Sequence, residues 1–374
     1  MTKIIRAVTI PMSLGFCREL MIKMRGMGYD MVALSSSGWE LDELRDVDRF
    51  RTIVVEMERH ISPLKDLKSL VHLIKVFRKE KPNVVHSMTP KAGLLCMMAG
   101  WLAGVPVRIH TFTGLVWPTS SGIKRQILKI TDRITCACAT HIIPEGQGVM
   151  NDLSNGGITR KPMKVLGYGN VRGIDLEVFD PDKVKVARDD DRFTFLFVGR
   201  IVRDKGINEL VDAFVVLHDE HHETRLVLVG PFEDNVDPVN ENTRRMNEQH
   251  EAIEWVGAKY GDDLLRSYAS VDCLVMPSYR EGFPNTVIEA GAMGLPSIVT
   301  DINGSREIIE EGQNGLIVPP RDMISLCTAM KRMVEDEVLR EQFKRNARTM
   351  VASRFEKNFV QQCLIDYYKE ILIK

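Results

Sequence analysis

No long hydrophobic run occurs in the chain of 374 residues. The longest uncharged stretch, Ala92 to Val107, falls short of the ~20 residues that span a bilayer, and Gly100, Gly104 and Pro106 interrupt it. It reads as a buried helix running into a strand. The N-terminal apolar stretch is broken by Thr9, Pro11 and Ser13, so it reads as a strand and loop, not as a signal peptide. Cysteine shows no pairing pattern: there are seven, with no C-x-x-C spacing. That excludes a disulfide scaffold or zinc finger, points to the reducing cytoplasm, and makes Cys136 and Cys138 core positions. No G-x-G-x-x-G follows the first strand, which disfavours a dehydrogenase; Gly167-x-Gly169-x3-Gly173 has the wrong spacing and reads as backbone turns in a linker. Asp189-Asp190-Asp191 precedes a strand and is at the wrong end for a metal triplet. His218, His221 and His222 close a helix, where cations suit the dipole better than they suit a metal.

Net charge is also nearly absent, at -1, but it is unevenly spread. Residues 1–180 hold 25 Lys/Arg against 17 Asp/Glu, and residues 181–374 hold 25 against 34. A basic first half suits an anionic partner such as a phospholipid surface, a phosphorylated acceptor or nucleic acid; an uneven solvated surface is the alternative.

What is present is a regular alternation of short apolar runs and helix-length segments. Strands are expected at Ile4–Ile10, Met31–Leu34, Thr52–Val55, Asn83–His86, Val107–His110 and His141–Ile143. Helices at Cys17–Met27, Pro63–Lys79, Lys91–Ala103 and Ile123–Ala137 separate several of them. A second series follows at Phe193–Val198, Arg225–Val229, Ile253–Trp255, Cys273–Met276, Ser297–Val299 and Gly315–Val318. Strands this short and this apolar are covered on both faces, as in parallel βα sheets. The expected architecture is α/β, with two doubly wound Rossmann-like domains, residues 1–172 and 173–355, and a C-terminal helix, 356–374, returning to the first.

Ligands of such sheets sit where strands lead into helices. After Phe193–Val198 comes Gly199-Arg200-Ile201-Val202-Arg203-Asp204-Lys205-Gly206. Arg200 can grip two oxygens of a diphosphate and Lys205 adds a point charge, although a solvated basic loop fits the pattern too. Arg203 is expected to pair with Asp204. After Cys273–Met276 comes Pro277 to Ala290, in which Glu281 and Glu289 bracket a turn and the start of a helix. Pro284 suits the first helical turn, leaving the N–H groups of Asn285, Thr286 and Val287 free for an anion. A carboxylate suits the paired hydroxyls of a sugar or ribose; a capping acid and a surface Glu are the plainer alternative.

The combination of G-R-x4-K-G (Gly199 to Gly206), E-G-F-P-N-x3-E-A (Glu281 to Ala290), A-x-G-L-P-x3-T-D (Ala292 to Asp301) and E-x-G-x-N-G-L-x-V-P-P (Glu310 to Pro320) resembles family 4 of the GT-B glycosyltransferases. V-V-H-S-M-T-P-K-A-G (Val84 to Gly93) and Arg108-Ile109-His110-Thr111 resemble its bacterial polysaccharide-assembly members. The resemblance implies that the two domains face each other across a cleft and that a nucleotide diphosphate sugar, UDP-linked, is the donor. Arg200 and Lys205 then match the diphosphate-neutralising pair, Glu289 the ribose acid and Glu281 the acid beside the donor sugar. The backbone of Gly282, Phe283, Pro284, Asn285 and Thr286 completes the cradle. His110 matches the histidine that reaches the donor sugar, with a core histidine as the alternative from its position alone. Gly15 matches a close-approach loop in which many members have two glycines.

The activity implied is retaining and metal-independent transfer of a hexose or N-acetylhexosamine to a glycan or polyprenyl-diphosphate-linked acceptor in surface polysaccharide synthesis. No cofactor and no nucleic-acid partner are implied. Breaking a sugar–diphosphate bond builds negative charge that cations and a helix N-terminus can stabilise. A UDP-sugar 2-epimerase of the same architecture, or a non-catalytic nucleotide-sugar-binding subunit, would share these features. On the acceptor side, Ser62-Pro63 opens a helix with apolar residues at helical spacing and Lys65, Lys68, Lys75, Arg78, Lys79 and Lys81 around them. Lys124 to Ile130 is a second basic segment. Both fit peripheral contact with an anionic membrane at its cytoplasmic face, or ordinary helices with a solvated basic side. Arg59 is expected at the acceptor phosphate and Lys91 on the substrate side.

Overall fold

The computed structural model describes residues 1–58, 60, 62–186, 190–235 and 237–372. Arg59 and Asp189 lie outside the described residues. The chain forms two compact units, residues 1–172 with the segment from Val360 onward, and residues 173–359.

The first unit contains β1 (Lys3–Ala7), α1 (Arg18–Gly26), β2 (Asp30–Ser35), α2 (Trp39–Asp46), β3 (Arg51–Val54), α3 (Pro63–Glu80), β4 (Val84–Met88), α4 (Pro90–Ala103), β5 (Val107–Phe112), α5 (Gly122–Cys138), β6 (His141–Pro144) and α6 (Gln147–Asn155). Its six strands are parallel, in the order β3-β2-β1-β4-β5-β6. β1 is shorter than Ile4–Ile10: the Thr9 amide donates to the Thr89 hydroxyl instead of to a neighbouring strand, and Pro11, which has no N–H to give, opens a short 3-10 helix, Pro11–Phe16. β5 is longer than Val107–His110, which places His110 inside the strand instead of at its end.

The second unit contains β7 (Phe193–Val198), α7 (Ile207–Glu220), β8 (Thr224–Val229), α8 (Glu241–Gln249), β9 (Ile253–Trp255), α9 (Gly261–Ala269), β10 (Cys273–Met276), α10 (Asn285–Ala292), β11 (Ser297–Thr300), α11 (Ser305–Ile308), β12 (Gly315–Val318), α12 (Met323–Glu335) and α13 (Glu337–Phe355). The sheet order β12-β11-β10-β7-β8-β9 repeats the topology of the first. Both sheets therefore reverse direction at one point, between β1 and β4 and between β7 and β10. Loops diverge there and leave a crevice at the strand ends.

Each core follows from the strand composition. Phe195, Leu196, Phe197, Leu274, Val275, Ile298 and Val299 are fully buried, and helices cover both faces of the second sheet. The first sheet packs α3, α4 and α5 on one face. Its other face takes α1, α2 and the last helix, α14 (Lys357–Leu372), through Leu364, Ile365, Tyr367, Tyr368 and Ile371. Under α14 lies a buried polar cluster. Arg6 Nη1 donates to the Tyr368 hydroxyl at 3.0 Å and bonds His86 Nδ1, whose Nε2 is 2.7 Å from Thr111 Oγ1. Burial and the adjacent Arg6 charge hold His86 well below the usual imidazole range. A neutral ring that accepts from Arg6 at Nδ1 carries its proton on Nε2 and donates to Thr111.

Candidate functional site

In the second unit the two motif loops are neighbours because β7 and β10 pair directly at the sheet's reversal point. The loop after β7 ends in a short 3-10 turn, Arg203–Lys205, followed by Gly206 at φ +72°. A Cβ on Gly206 would lie 2.0 Å from the Pro277 carbonyl oxygen, so only glycine lets the two loops close together. Three side-chain and backbone contacts then join them, and a fourth ties the loop after β10 to α7. Lys205 Nζ pairs with Glu281 Oε1, and Arg280 Nη2 donates to Asp204 Oδ2 at 2.9 Å. The Tyr279 amide donates to the Asp204 carbonyl at 2.9 Å, and the Tyr279 hydroxyl to Glu209 Oε1 at 2.6 Å. Burial and the adjacent Glu209 carboxylate push the Tyr279 phenol above its usual range, so it remains a donor.

Glu281 accepts a second bond from Ser278 Oγ at 2.7 Å, which fixes its carboxylate beside the Lys205 ammonium. Glu289 is only 6% exposed, one turn into α10, and Oε2 accepts from the Tyr268 hydroxyl at 2.9 Å. Between the two acids run Gly282, the buried Phe283 and Pro284, then Asn285 and Thr286 at the start of α10. Pro284 caps this helix instead of entering its first turn. The Val287 amide donates to the Pro284 carbonyl at 3.1 Å, so it is not open to an anion as the sequence suggested. The first two N–H groups of α10, on Asn285 and Thr286, keep the orientation that a helix N-terminus gives them.

Arg200 opens the same loop as Lys205, two residues after β7. Its Nη1 contacts Glu233 Oε2 at 2.9 Å, in the loop that follows β8. Arg203 pairs with Asp237 at 2.9 Å and not with Asp204, whose carboxylate is taken by Arg280. Adjacent residues on a tight turn point apart, which is why the local pairing fails.

In the first unit His110 is 2% exposed, and Nδ1 lies 2.8 Å from Ser87 Oγ. Its ring sits edge-on to Phe112 and against α4, where a Cβ on Gly93 would fall 2.3 Å from Cε1. Burial pushes the His110 pKa down to about 3, so the ring is neutral at physiological pH. It lines a cavity with Thr89, Trp117 and Asp132, and burial raises the Asp132 carboxyl to about 7. Thr89, between β4 and α4, is a β-branched residue at φ +72°, held by Thr9 Oγ1 at 2.8 Å. That is a strained backbone position at the reversal point of the first sheet. Lys91 donates to Asp66 Oδ2 at 2.5 Å and to the His60 carbonyl at 2.9 Å, so its ammonium holds α3 and α4 together. Gly15 is exposed in the turn after β1, with nothing within 4 Å of where a Cβ would be.

Sequence reasoning missed Ser278, Tyr268, Glu233, Ser87 and Thr89. Thr89 lies inside the Val84–Gly93 motif, directly after β4, and Ser278 lies inside Pro277–Ala290, two residues after β10. Tyr268 and Glu233 carry no local signal.

The chain matches two family descriptions, "Glycosyl transferases group 1" over residues 178–350 and "Glycosyl transferase 4-like domain" over residues 16–169. It is 31% identical over 376 aligned residues to the capsular polysaccharide biosynthesis glycosyltransferase CapM of Staphylococcus aureus, covering 99% of this chain and 97% of that one. It is 29% identical to the Escherichia coli UDP-Gal:alpha-D-GlcNAc-diphosphoundecaprenol alpha-1,3-galactosyltransferase, over 84% of this chain and 81% of that one. Among solved structures, Anabaena HepE in complex with UDP superposes with a TM-score of 0.79 at 16% identity, covering 99% of this chain and 100% of that one. With two sheets of this order and this similarity, the chain belongs to family 4 of the GT-B glycosyltransferases.

Proposed function

We propose that the protein is a retaining, metal-independent glycosyltransferase that moves a hexose or N-acetylhexosamine from a UDP-linked donor to a glycan or polyprenyl-diphosphate-linked acceptor in surface polysaccharide synthesis. The observation that carries this reading is the Lys205–Glu281 contact at the reversal point of the second sheet, with Glu289 buried one turn into α10. Lys205 and Arg200 take the diphosphate, and the charge that builds on the leaving oxygens meets them and the N-terminus of α10. These groups supply the electrostatic stabilisation without a metal. Glu281 accepts hydroxyls of the donor sugar and Glu289 those of the ribose, with the backbone of Gly282 to Thr286 between them. His110, by its match to the family's motif, serves as a neutral hydrogen-bonding group of the first unit, fixed by Ser87; with its pKa pushed down to about 3 it is no acid at pH 7. The name of CapM supports polysaccharide synthesis, that of the galactosyltransferase supports the lipid-linked acceptor class, and the UDP in HepE supports the donor base. The retaining outcome rests on membership of the family.

The acceptor class agrees with the surface of the first unit. On α5, Ile123, Ile127, Ile130 and Ile134 form an exposed stripe at i, i+4, i+7 and i+11, flanked by Lys124, Arg125, Lys129 and Arg133. On α3, Leu64, Leu67 and Val71 are exposed beside Lys65, Lys68 and Lys75. Apolar rows bordered by cations suit a surface of anionic lipid, and peripheral attachment at the cytoplasmic face of the membrane follows. Among the described residues no helix is long and apolar enough to cross a membrane.

The test is transfer from UDP-glucose, UDP-galactose and their N-acetylhexosamine counterparts to a polyprenyl-diphosphate-linked sugar, with the new anomeric linkage read by NMR. An α-linked product from an α-linked donor supports the reading. Conversion of UDP-N-acetylglucosamine to its epimer from donor alone would point to the 2-epimerase, and binding without turnover to a non-catalytic subunit.

A further inference from the structure

Both cations assigned to the diphosphate are paired with carboxylates, and the two acids are held differently. Glu281 faces Lys205 with its side chain 14% exposed and is anchored a second time by Ser278. Glu233 is 34% exposed, and among the described residues Arg200 is the sole cation it meets. The backbone beneath Glu233 is firmly placed. The Ile201 amide donates to the Pro231 carbonyl at 2.8 Å, Phe232 packs edge-on against Trp255 with centroids 5.0 Å apart, and Arg244 stacks over Phe232. The carboxylate can therefore turn away from Arg200 while its loop stays in place.

A diphosphate bound to Arg200 would bring two or more negative charges to the guanidinium that Glu233 contacts at 2.9 Å. Like charges this close repel, and one of them must leave the guanidinium. We propose that Glu233 is an internal counter-anion of Arg200, displaced when the donor diphosphate arrives, and that it weakens retention of the nucleoside diphosphate product. The proposal rests on the donor-site reading above and adds to it a residue that sets the affinity of that site. The residue acts by competition for one cation, so its removal strengthens binding, which loss of a merely structural contact does not do.

The experiment is calorimetric titration of UDP, with GDP and ADP in parallel, into the full-length wild-type protein and into Glu233→Gln, Glu233→Ala, Lys205→Ala and Glu289→Ala. Gln keeps an oxygen that can accept from Arg200 and removes only the charge. Both Glu233 variants are expected to bind UDP about three- to tenfold more tightly at low salt, with the gain shrinking as salt rises. Lys205→Ala and Glu289→Ala are expected to bind more weakly. Unchanged or weaker binding by both Glu233 variants, beside weakened Lys205→Ala, overturns this proposal and leaves the donor site standing. Unchanged affinity in Lys205→Ala and Glu289→Ala, or no binding of any of the three nucleotides, overturns the donor-site reading and this proposal with it.

Discussion

The Tyr268 hydroxyl donates to Oε2 of Glu289 at 2.9 Å, and both side chains are buried. A buried carboxylate without a donor costs far more than one that is bonded, and α9 supplies one such bond to the acid that α10 carries inside the protein. Tyr268→Phe should leave the chain folded but less stable by about 1–2 kcal/mol. Nucleotide affinity should fall by a smaller factor than in Glu289→Ala, because the acid remains and only its orientation loosens. Chemical denaturation and calorimetry on the two variants check this; equal losses of affinity would mean that Tyr268 itself meets the ligand.

Gly93 and His110 share a space that a methyl group would fill. Gly93→Ala should destabilise the first unit by about 1–3 kcal/mol through overpacking. His110→Ala in the same chain should recover much of that loss, whereas independent sites would simply add. A double-mutant cycle by urea denaturation measures the coupling, and additive losses would contradict the packing described.

Burial lowers the pKa of both His86 and His110 in the folded state. The unfolded chain binds protons at these rings from about pH 6.5 downward, while the folded protein does not until the pH is much lower. Their contribution to stability is complete above about pH 6.5 and is lost as pH falls toward about 3 for His110. The expected slope is about 1.4 kcal/mol per pH unit for each ring below pH 6.5. Denaturation at pH 7.0, 6.0 and 5.0 should show it, with a smaller slope in a His110→Asn variant.

Asp132 behaves in the opposite sense. Its folded pKa is raised to about 7, so its carboxylate opposes folding most at high pH and ceases to do so as pH falls toward the unfolded value near 4. Asp132→Asn should raise the melting temperature at pH 8 and give little or no gain at pH 4. Equal gains at both would show that packing, not charge, is the cause.

On the surface, the stripe of isoleucines on α5 predicts attachment to anionic vesicles. Ile127→Asp with Ile130→Asp should lower co-sedimentation with phosphatidylglycerol vesicles several-fold while leaving UDP affinity unchanged. Retained sedimentation would remove α5 from the lipid contact.

Much of this arrangement is legible in the sequence because strands and their exit loops are local features. Phe193–Val198, Ile253–Trp255, Cys273–Met276 and Gly315–Val318 coincide with β7, β9, β10 and β12, since short apolar runs between glycine and polar loops have few other readings. The loops carrying Arg200, Lys205 and Glu281, and the helix start that carries Glu289, follow strand ends for the same reason. Side-chain partners are another matter. Lys205 and Glu281 are 76 residues apart, and Arg6 and Tyr368 are 362 apart, so nothing in the local pattern joins them. His110 was placed at a strand end because a polar residue usually closes an apolar run. Here Ser87 bonds its Nδ1 and Gly93 leaves the ring room, and β5 continues past it.

The central claim is that the second unit binds a nucleotide diphosphate sugar at the reversal point of its sheet. A thermal-shift series of wild type, Lys205→Ala and Glu289→Ala with UDP, GDP, ADP and their common sugar conjugates tests it most directly, since a ligand that binds only the folded state raises the melting temperature. The account predicts a shift of the wild type with UDP and a UDP-sugar, and a shift much reduced in both variants although they melt cooperatively without ligand. Equal shifts in all three proteins, or none in the wild type with any nucleotide, would contradict it.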